Sequence, residues 1–562
     1  MATIVDWLAE ENPQLVRELK GRLKPRNVAL AATLSLLSQL LLYGYFVKRL
    51  PTADELLLTT QSTASRYCTG PSLGERKFEC ILDLQSNVML LKELWWLDLF
   101  VAISLASIAV LIGVGITLLV SDLSREKSRG TLSLIRLSPR SASSILIGKF
   151  LGVPILLHLA LALAIPLHVG AGLAAGVSLG LIVGFYGVLA ASCACFYSLA
   201  ILVGLIGKGR EARAVWLSLA VLSWLFVLTS VLASKWSFAG FALDWLKLFN
   251  PSTVLPYLVQ STFLPHRTVG YFDVHRLMPG LWYGQPLWQE PGSAIGFMVL
   301  NYAGWTYWLW QASKRQFRQP TAAIWSKEQS YWLSGFFTLI TLGFALQNAH
   351  SDRLLINFSS LLFQNAVFFL LLIAALSPHR QALQDWARYR HQTSQRSLVA
   401  ELLWGEKSPA PVAIAFNIAI VVGLTLPSVL LFPVNNAMAV VAGFFLSGSL
   451  IILYAVVAQL LLMMKSEQRS TWATATIGTG AIAPVLYLGL MEMPAGHAPE
   501  AWLWLLSLQP LAATAAVQTT TMMSVLLVQW LAIVVCAVQM TRQLRHFSQS
   551  QTKALFVQGK DS

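Results

Sequence analysis

The chain has 562 residues, of which 56% are hydrophobic and only 12% charged, and its formal net charge is +14. Soluble domains carry about 25% charged residues, so this composition excludes an ordinary soluble globular protein. The positive charge does not indicate nucleic-acid binding, because Lys and Arg fall at the ends of long uncharged runs, where membrane proteins place them.

The first segment, PQLVRELKGRLKPR at 13–26, has the spacing of an amphipathic helix. Leu15, Val16, Leu19 and Leu23 fall on one helical face, which predicts a helix lying in the membrane interface. The alternative is an ordinary charged leader. Because this charged stretch precedes the first apolar run, we expect no cleavable signal peptide.

Uncharged runs long enough to cross a membrane recur along the whole chain. They cover residues 28–47, 99–121, 150–207, 214–234, 291–313, 329–351, 354–378, 408–464, 470–491 and 501–541. The two longest runs are divided by turn-forming residues at 169–176 and 432–436, so each predicts two helices. Pro510 divides the last run and leaves one span near 522–541. These runs predict an all-α polytopic membrane protein with about twelve transmembrane helices.

The distribution of Lys and Arg predicts the orientation of the spans. The basic segments expected in the cytoplasm are 1–27, 122–149, 208–213, 314–328, 379–407, 465–469 and 542–562. The segments 48–98 and 235–290 are expected on the opposite side. An even number of spans places both termini in the cytoplasm, and we expect a bacterial-type plasma (inner) membrane.

Two of the five cysteines share a polar loop outside the apolar runs. Cys68 and Cys80 can form a disulfide if this loop faces an oxidising compartment, and two free thiols remain the alternative. The other three are expected to pack as small core residues: Cys193, Cys195 and Cys536. The cysteines and histidines show no metal-ligand spacing.

The two halves of the chain resemble each other in order and spacing. KGREARAVW at 208–216 follows the first double run, and KSEQRSTW at 465–472 follows the second. We therefore predict two six-span halves of parallel topology, 1–313 and 314–562.

The chain carries no nucleotide-binding GxxxxGK[ST] motif and no recognisable catalytic triad, so we expect neither enzymatic activity nor a bound cofactor. The double runs 150–207 and 408–464 also lack Asp, Glu, Lys and Arg. An ion-coupled carrier usually keeps such a residue inside its spans. Energy for transport would therefore enter through a cytoplasmic surface.

The segment REKSRGTLSLIRLSPRSASSILIGK at 125–149 resembles the cytoplasmic loop of type 2, export-associated ATP-binding cassette (ABC) permeases. The positions that match the pattern of that family are Glu126, Gly130, Thr131, Pro139, Gly148 and Lys149. NPQLVRELKGRL at 12–23 and FNPSTVLPYLV at 249–259 are similar to further family segments. The resemblance extends over about residues 12–313, whereas SPHRQALQDWARYR at 377–390 lacks the E…GT pattern.

The resemblance implies that the loop binds a groove on a cytoplasmic ATPase. Gly130 would permit a tight turn and Thr131 would cap the following helix. Charged contacts to the partner are expected from Arg125, Glu126, Lys127 and Arg129, and apolar contacts from Leu132, Leu134 and Ile135. Two ATP-binding subunits would supply ATP and Mg²⁺, and whether 379–407 contacts them stays open.

The predicted function is a permease subunit that exports a substrate the sequence does not identify, in contact with membrane lipid and with no nucleic-acid partner. Two alternatives remain. One is an ion-coupled secondary transporter, and the other is a non-transporting membrane anchor for a cytoplasmic ATPase.

Overall fold

A computed structural model describes most of the chain. The described residues are 10–52, 64–74, 76–207, 212–234, 240–347, 351–392, 397–432, 436–490, 499–514 and 516–548. The predicted basic C-terminal tail beyond residue 548 and most of the predicted turn at 432–436 lie outside this part. The described chain divides into two compact units, and two short segments from the middle of the chain, 240–245 and 280–285, belong to the second.

The described residues of unit 1 form eleven α-helices and a small sheet. The helices are α1 (Pro13–Arg22), α2 (Pro25–Val47), α3 (Lys92–Ser128), α4 (Thr131–Arg136), α5 (Ala142–Gly152), α6 (Ile155–Ala174), α7 (Leu179–Ile206), α8 (Ala212–Ala233), α9 (Leu255–Gln260), α10 (His266–Val269) and α11 (Pro291–Arg318). Short 3₁₀ helices are Ala242–Phe249, which continues from unit 2, Pro251–Val254 and Val274–Arg276. Helix α7 is the centre of the unit and packs along α3 and α11.

Unit 2 is helical throughout its described residues. Its helices are α12 (Lys327–Ala345), α13 (Ser351–Leu376), α14 (Arg380–Gln392), α15 (Leu398–Trp404), α16 (Pro411–Leu431), α17 (Ala437–Leu462), α18 (Arg469–Leu490), α19 (Leu511–Thr514) and α20 (Thr519–Ser548), with a 3₁₀ helix at Pro499–Leu506. Helix α17 takes the central place and packs against α13, α16 and α20.

Each of the twelve predicted spans corresponds to a long helix. Ten of these helices are long and apolar enough to cross a membrane within the described residues, which confirms an all-α polytopic membrane protein. The other two, α11 and α12, do not reach the same apolarity because polar residues occupy them, including Asn301 in α11 and Ser334 in α12. The predicted break in the last run is also present, since a 3₁₀ helix and α19 precede α20.

Helix α3 contains one π-helical turn, Val110–Val114, near its middle. Such a turn frees backbone carbonyls from the regular pattern, and in a membrane they need partners. Tyr197 from α7 donates its hydroxyl to the Leu111 carbonyl at 2.9 Å, and Ser218 from α8 donates to the Gly113 carbonyl at 2.7 Å. The irregular turn therefore ties three helices together.

The loop between α2 and α3 forms a three-stranded antiparallel sheet of β1 (Ala64–Ser65), β2 (Ser72–Gly74) and β3 (Lys77–Glu79), with β3 in the centre. A disulfide joins Cys68 to Cys80. The buried Asp98 carboxylate accepts hydrogen bonds from Arg66 at 3.1 Å, from Tyr67 at 2.9 Å and from the Tyr271 hydroxyl. These contacts hold the sheet against the start of α3 and the loop around residue 271.

Replacing both Cys68 and Cys80 with serine is expected to loosen this loop. A disulfide that closes a loop of about 15 residues raises the free energy of unfolding by about 3 kcal/mol. The two cysteines here are separated by 12 positions, so a similar contribution is expected. Amide hydrogen exchange over residues 64–90 should become faster, while exchange in α7 stays unchanged. A Cys536→Ser variant is the control, and unchanged exchange in the double variant would contradict the prediction.

Candidate coupling site

Residues 122–149 are called the coupling loop here; they run from the last turns of α3 through α4 into α5. Helix α3 continues through Arg125, Glu126 and Lys127 to Ser128, and the chain reverses at Gly130, whose φ is +73°. A side chain added at Gly130 would meet no atom within 4 Å, so the left-handed backbone alone favours glycine here. Helix α4 follows at once, and Pro139 lies in the exposed turn between α4 and α5.

The sequence predicted that Thr131 caps the following helix, and the structure shows that it does not. Gly130 occupies the N-cap position of α4 without a side-chain hydrogen bond. The Thr131 hydroxyl instead donates to the Glu126 carbonyl at 3.1 Å. It therefore satisfies one of the last carbonyls of α3, which helix geometry leaves without an intrahelical partner.

The closing lysine of the motif, Lys149, lies buried among three carboxylates. Its ammonium nitrogen is 2.6 Å from Glu18, 2.8 Å from Asp122 and 2.6 Å from Glu126. Arg22 adds a second cation, 2.7 Å from Asp122 and 3.2 Å from Glu18. We call these five residues the charged cluster. It joins helices α1, α3 and α5 at one point.

The opposite charges of Lys149 and Glu18 favour each other's ionised form. Burial alone would lower the pKa of Lys149, but the carboxylates of Asp122, Glu126 and Glu18 raise it above its usual value. Burial alone would raise the pKa of Glu18, but Lys149 and Arg22 hold it below its usual value. The Lys149 ammonium fills the space between the three carboxylates, which otherwise lie close enough together to suggest a cation site.

Gly148 has a packing role beside this cluster. A side chain added there would approach the Leu15 backbone nitrogen to 2.8 Å, and one at Gly152 would approach Glu18 to 2.5 Å. The two glycines let α1 lie directly on α5. Asn12 fixes the start of α1, because its amide donates to the Ser144 carbonyl at 2.8 Å while its oxygen accepts from the Leu15 nitrogen at 3.0 Å.

The apolar residues of α4 divide between core and surface. The sequence predicted a contact between Leu132 and a partner. Its side chain is only 3% exposed and packs inside the protein, so it is not accessible for that contact. Leu134 is 69% exposed and Leu137 is 82% exposed. Arg125 and Arg129 also lie on the exposed surface. The loop therefore presents two leucines beside basic side chains.

Other predicted contact residues are engaged within the chain. Lys127 donates to the Leu205 carbonyl at 2.8 Å, and Glu126 and Lys149 bind each other. The sequence interpretation assigned Lys127 and Glu126 to contacts with a partner, whereas the structure places both in internal bonds.

A buried lysine of unit 2 has different partners. Lys327, at the start of α12, donates to the Leu402 carbonyl and the Ser408 hydroxyl at 2.6 Å each, and to the Pro409 carbonyl at 3.1 Å. Arg390 of α14 pairs with Glu401 of α15 at 2.7 Å. The acceptors around Lys327 are therefore neutral, whereas those around Lys149 are carboxylates.

The sequence interpretation missed Glu18, Arg22 and Asp122 as members of the site. A signal was available, because Glu18 and Arg22 are four residues apart, as are Asp122 and Glu126. Each pair therefore falls on one helical face. Nothing local indicated that the two faces meet at Lys149.

The fold and this site define an all-α polytopic membrane protein with a loop in unit 1 that a buried charged cluster holds in place. Residues 27–276 match the family described as ABC-2 family transporter protein. The match supports an ABC-2 type permease. It covers α2 to α10 and lies inside the region of the sequence resemblance. No curated protein and no solved structure matches the chain.

Proposed function

We propose that the chain is the permease subunit of an ATP-driven ABC transporter and that it is coupled to separate ATP-binding subunits through the coupling loop. The observation that carries this proposal is the surface at α4, where Leu134 on the helix and Leu137 directly after it are exposed between two braced helices. An exposed apolar anchor with basic neighbours suits binding in a groove on a soluble partner.

The charged cluster explains how a displacement of α4 would reach the membrane. Helix α3 runs 37 residues from Lys92 to Ser128, which is about 55 Å at 1.5 Å per residue. Its end is bonded through Asp122 and Glu126 to Lys149 of α5, and through Asp122 to Arg22 of α1. A force applied to α4 would therefore move α1, α3 and α5 as one body.

The element order of unit 2 supports two permease halves in one chain. In each unit two long helices are followed by two short helices, then by three long helices, a 3₁₀ segment and a final long helix. We infer that the coupling loop in unit 1 corresponds to α14 and α15 in unit 2, and that two ATP-binding subunits serve the two halves. Because only the first loop keeps the E…GT pattern, we expect it to transmit most of the coupling.

The proposal extends to the direction of transport and to the membrane that holds the protein. We propose export across a bacterial-type plasma membrane, with both termini and the coupling loop in the cytoplasm. The basic segments that flank the spans support this orientation. The chain itself would not hydrolyse ATP, since it carries no phosphate-binding motif; ATP and Mg²⁺ would bind the partner.

The test is purification of the full chain from its native membrane in mild detergent, with mass spectrometry of the co-purifying proteins. We expect an ATP-binding cassette protein at two copies per chain, and ATP hydrolysis that depends on the complex. Recovery without any ATP-binding protein would contradict the proposal. Transport that an uncoupler abolishes while ATPase loss leaves it unchanged would favour a secondary carrier. A stable complex that transports nothing and whose ATPase responds to no substrate would favour an anchor.

A further inference from the structure

An apolar cleft lies between three of the candidate spans of unit 1, away from the coupling loop. It has a volume of about 520 Å³ and is formed by α2, α3 and α6. The cleft exists because small side chains line it, among them Ala31 on α2, Ala106 on α3, and Ala160 and Ala164 on α6. A volume of this size is typical of a site for one small ligand.

The polar side chains that α2 contributes to the wall of the cleft are already bonded to the helices. Ser35 donates to the Ala160 carbonyl at 2.8 Å, and Gln39 donates to Ser35 at 3.1 Å and to the Leu163 carbonyl at 3.4 Å. These bonds hold α2 parallel to α6. They also leave the wall suited to a hydrocarbon chain rather than to a polar ligand.

The length of the cleft matches one leaflet of a bilayer. On α2 it runs from Ala31 to Leu42, and eleven residues at 1.5 Å each give about 17 Å. Half of a hydrocarbon core of ~30 Å is about 15 Å, the depth that one acyl chain occupies. Only 11% of the apolar window of α2 is buried, so apart from its contact with α6 most of its surface would face lipid in a membrane.

The end of the cleft near α1 carries positive charge. Lys24 is exposed just before α2 and precedes Ala31 by seven residues, which places it on the cleft side of the helix about 11 Å along its axis. Lys20 is exposed on α1 nearby in sequence. Basic side chains at this depth attract anionic lipid headgroups.

We propose that the cleft binds one acyl chain of an anionic phospholipid from the leaflet on the α1 side, with the lipid phosphate beside Lys24. The lipid completes the packing of α2, most of whose surface the protein leaves uncovered. This inference is independent of the ATP-driven function, because it requires only that α2, α3 and α6 lie in a membrane.

The experiment uses the purified full chain in vesicles that contain phosphatidylglycerol with a photoactivatable diazirine in one acyl chain. After illumination, labelled peptides are mapped by mass spectrometry. We expect residues 31–42 and 156–164 to be labelled several-fold more than residues 215–227 of α8, which are lipid-exposed but lie outside the cleft. Equal labelling of all exposed helices would overturn the proposal. Adducts between two copies of the chain at the cleft would assign it to a homotypic interface and would also overturn it.

Two matched variants on α6 test occupancy of the cleft. Ala164→Phe fills the cleft and should remove the excess labelling, whereas Ala162→Phe, at the same depth on the exposed face, should leave it intact. The milder Ala164→Leu serves if the phenylalanine variant fails to fold. Unchanged labelling in a folded Ala164 variant would refute an acyl chain in the cleft.

The headgroup is tested by Lys24→Gln in the same vesicles, with Arg26→Gln, on the opposite face of α2, as the control. Lys24→Gln should weaken labelling by phosphatidylglycerol about fivefold, whereas Arg26→Gln should leave it unchanged. Labelling by phosphatidylcholine with the same diazirine chain should not change. If the two lipids label the wild-type cleft equally, the anionic headgroup assignment is wrong.

Discussion

The Lys149→Met variant is expected to lose stability more than any other single substitution in the coupling region. Lys149 is 2% exposed and touches three carboxylates whose side chains are 10–19% exposed. Methionine fills a similar volume but leaves three like charges facing each other without their central cation. Removing one partner of a buried ion pair lowers the free energy of unfolding by about 3 kcal/mol or more, because the other charge is left buried without a counterion. The apparent Tm in detergent should fall by roughly 5–10 °C.

Arg129→Met is the matched control for this variant. Arg129 lies in the same loop, carries the same charge and is exposed, so its loss should change the Tm by less than about 1 °C. The double variant Lys149→Met with Glu126→Gln should lose less than the sum of the two single variants, because each change removes part of the same interaction. Additive losses would show that the charged cluster does not act as a unit.

The effect of Lys149→Met should depend on pH. The lowered pKa of Glu18 contributes stability that is present above its unfolded pKa and lost as pH falls. The raised pKa of Lys149 contributes stability that is present below its unfolded pKa and lost as pH rises. Burial and the nearby carboxylates of Asp122 and Glu18 raise the pKa of Glu126, although Lys149 lowers it, so this third carboxylate is fully charged only at higher pH. The difference in Tm between wild type and variant should therefore be largest from neutral pH to about pH 10 and shrink on both sides.

The second large effect is expected from Leu134→Glu combined with Leu137→Glu. Both side chains are more than half exposed, so the substitutions should leave the Tm of the permease unchanged. If α4 fills an apolar groove on the ATP-binding subunit, two buried carboxylates would weaken that binding by about tenfold or more. Affinity of the purified permease for the co-purified ATPase, and ATPase activity of the complex, are the measurements.

Leu84→Glu provides the comparison for the α4 variant. Leu84 is 107% exposed and lies in the loop between α2 and α3, so Leu84→Glu makes the same kind of substitution, with one carboxylate where the α4 variant has two, at an exposed leucine outside the coupling loop. It should leave ATPase binding at the wild-type level. Wild-type binding by the α4 variant would contradict the role assigned to α4, and weakened binding by Leu84→Glu would show that the effect is not local.

Much of the fold could be predicted because membrane burial follows from local sequence. A run of about 20 apolar residues needs no long-range contact to identify it as a span. Turn formers such as Gly176, with φ +85°, ended helices where the sequence indicated. The exception was α11 and α12, where polar residues such as Asn301 and Ser334 lie among apolar ones and reduce the apolarity of helices that are long enough to span.

The roles of side chains in the coupling loop were harder to predict because they depend on which helices meet. The motif identified Glu126 and Lys149 but suggested an external partner for Glu126, and it gave Thr131 the wrong helix to cap. An isolated loop sequence does not show whether a charge faces solvent or another helix. Leu132 and Leu134 are two residues apart, yet one is buried and the other exposed.

The sequence by itself determined that this is an all-α membrane protein, where its spans lie and which loop carries the family resemblance. These properties depend on apolarity and spacing within about 20 residues. The tertiary structure decided the chemistry of that loop. Lys149 meets Glu18 across 131 residues of chain and Asp122 across 27. Only the packing of α1 on α5, permitted by Gly148 and Gly152, brings these charges together.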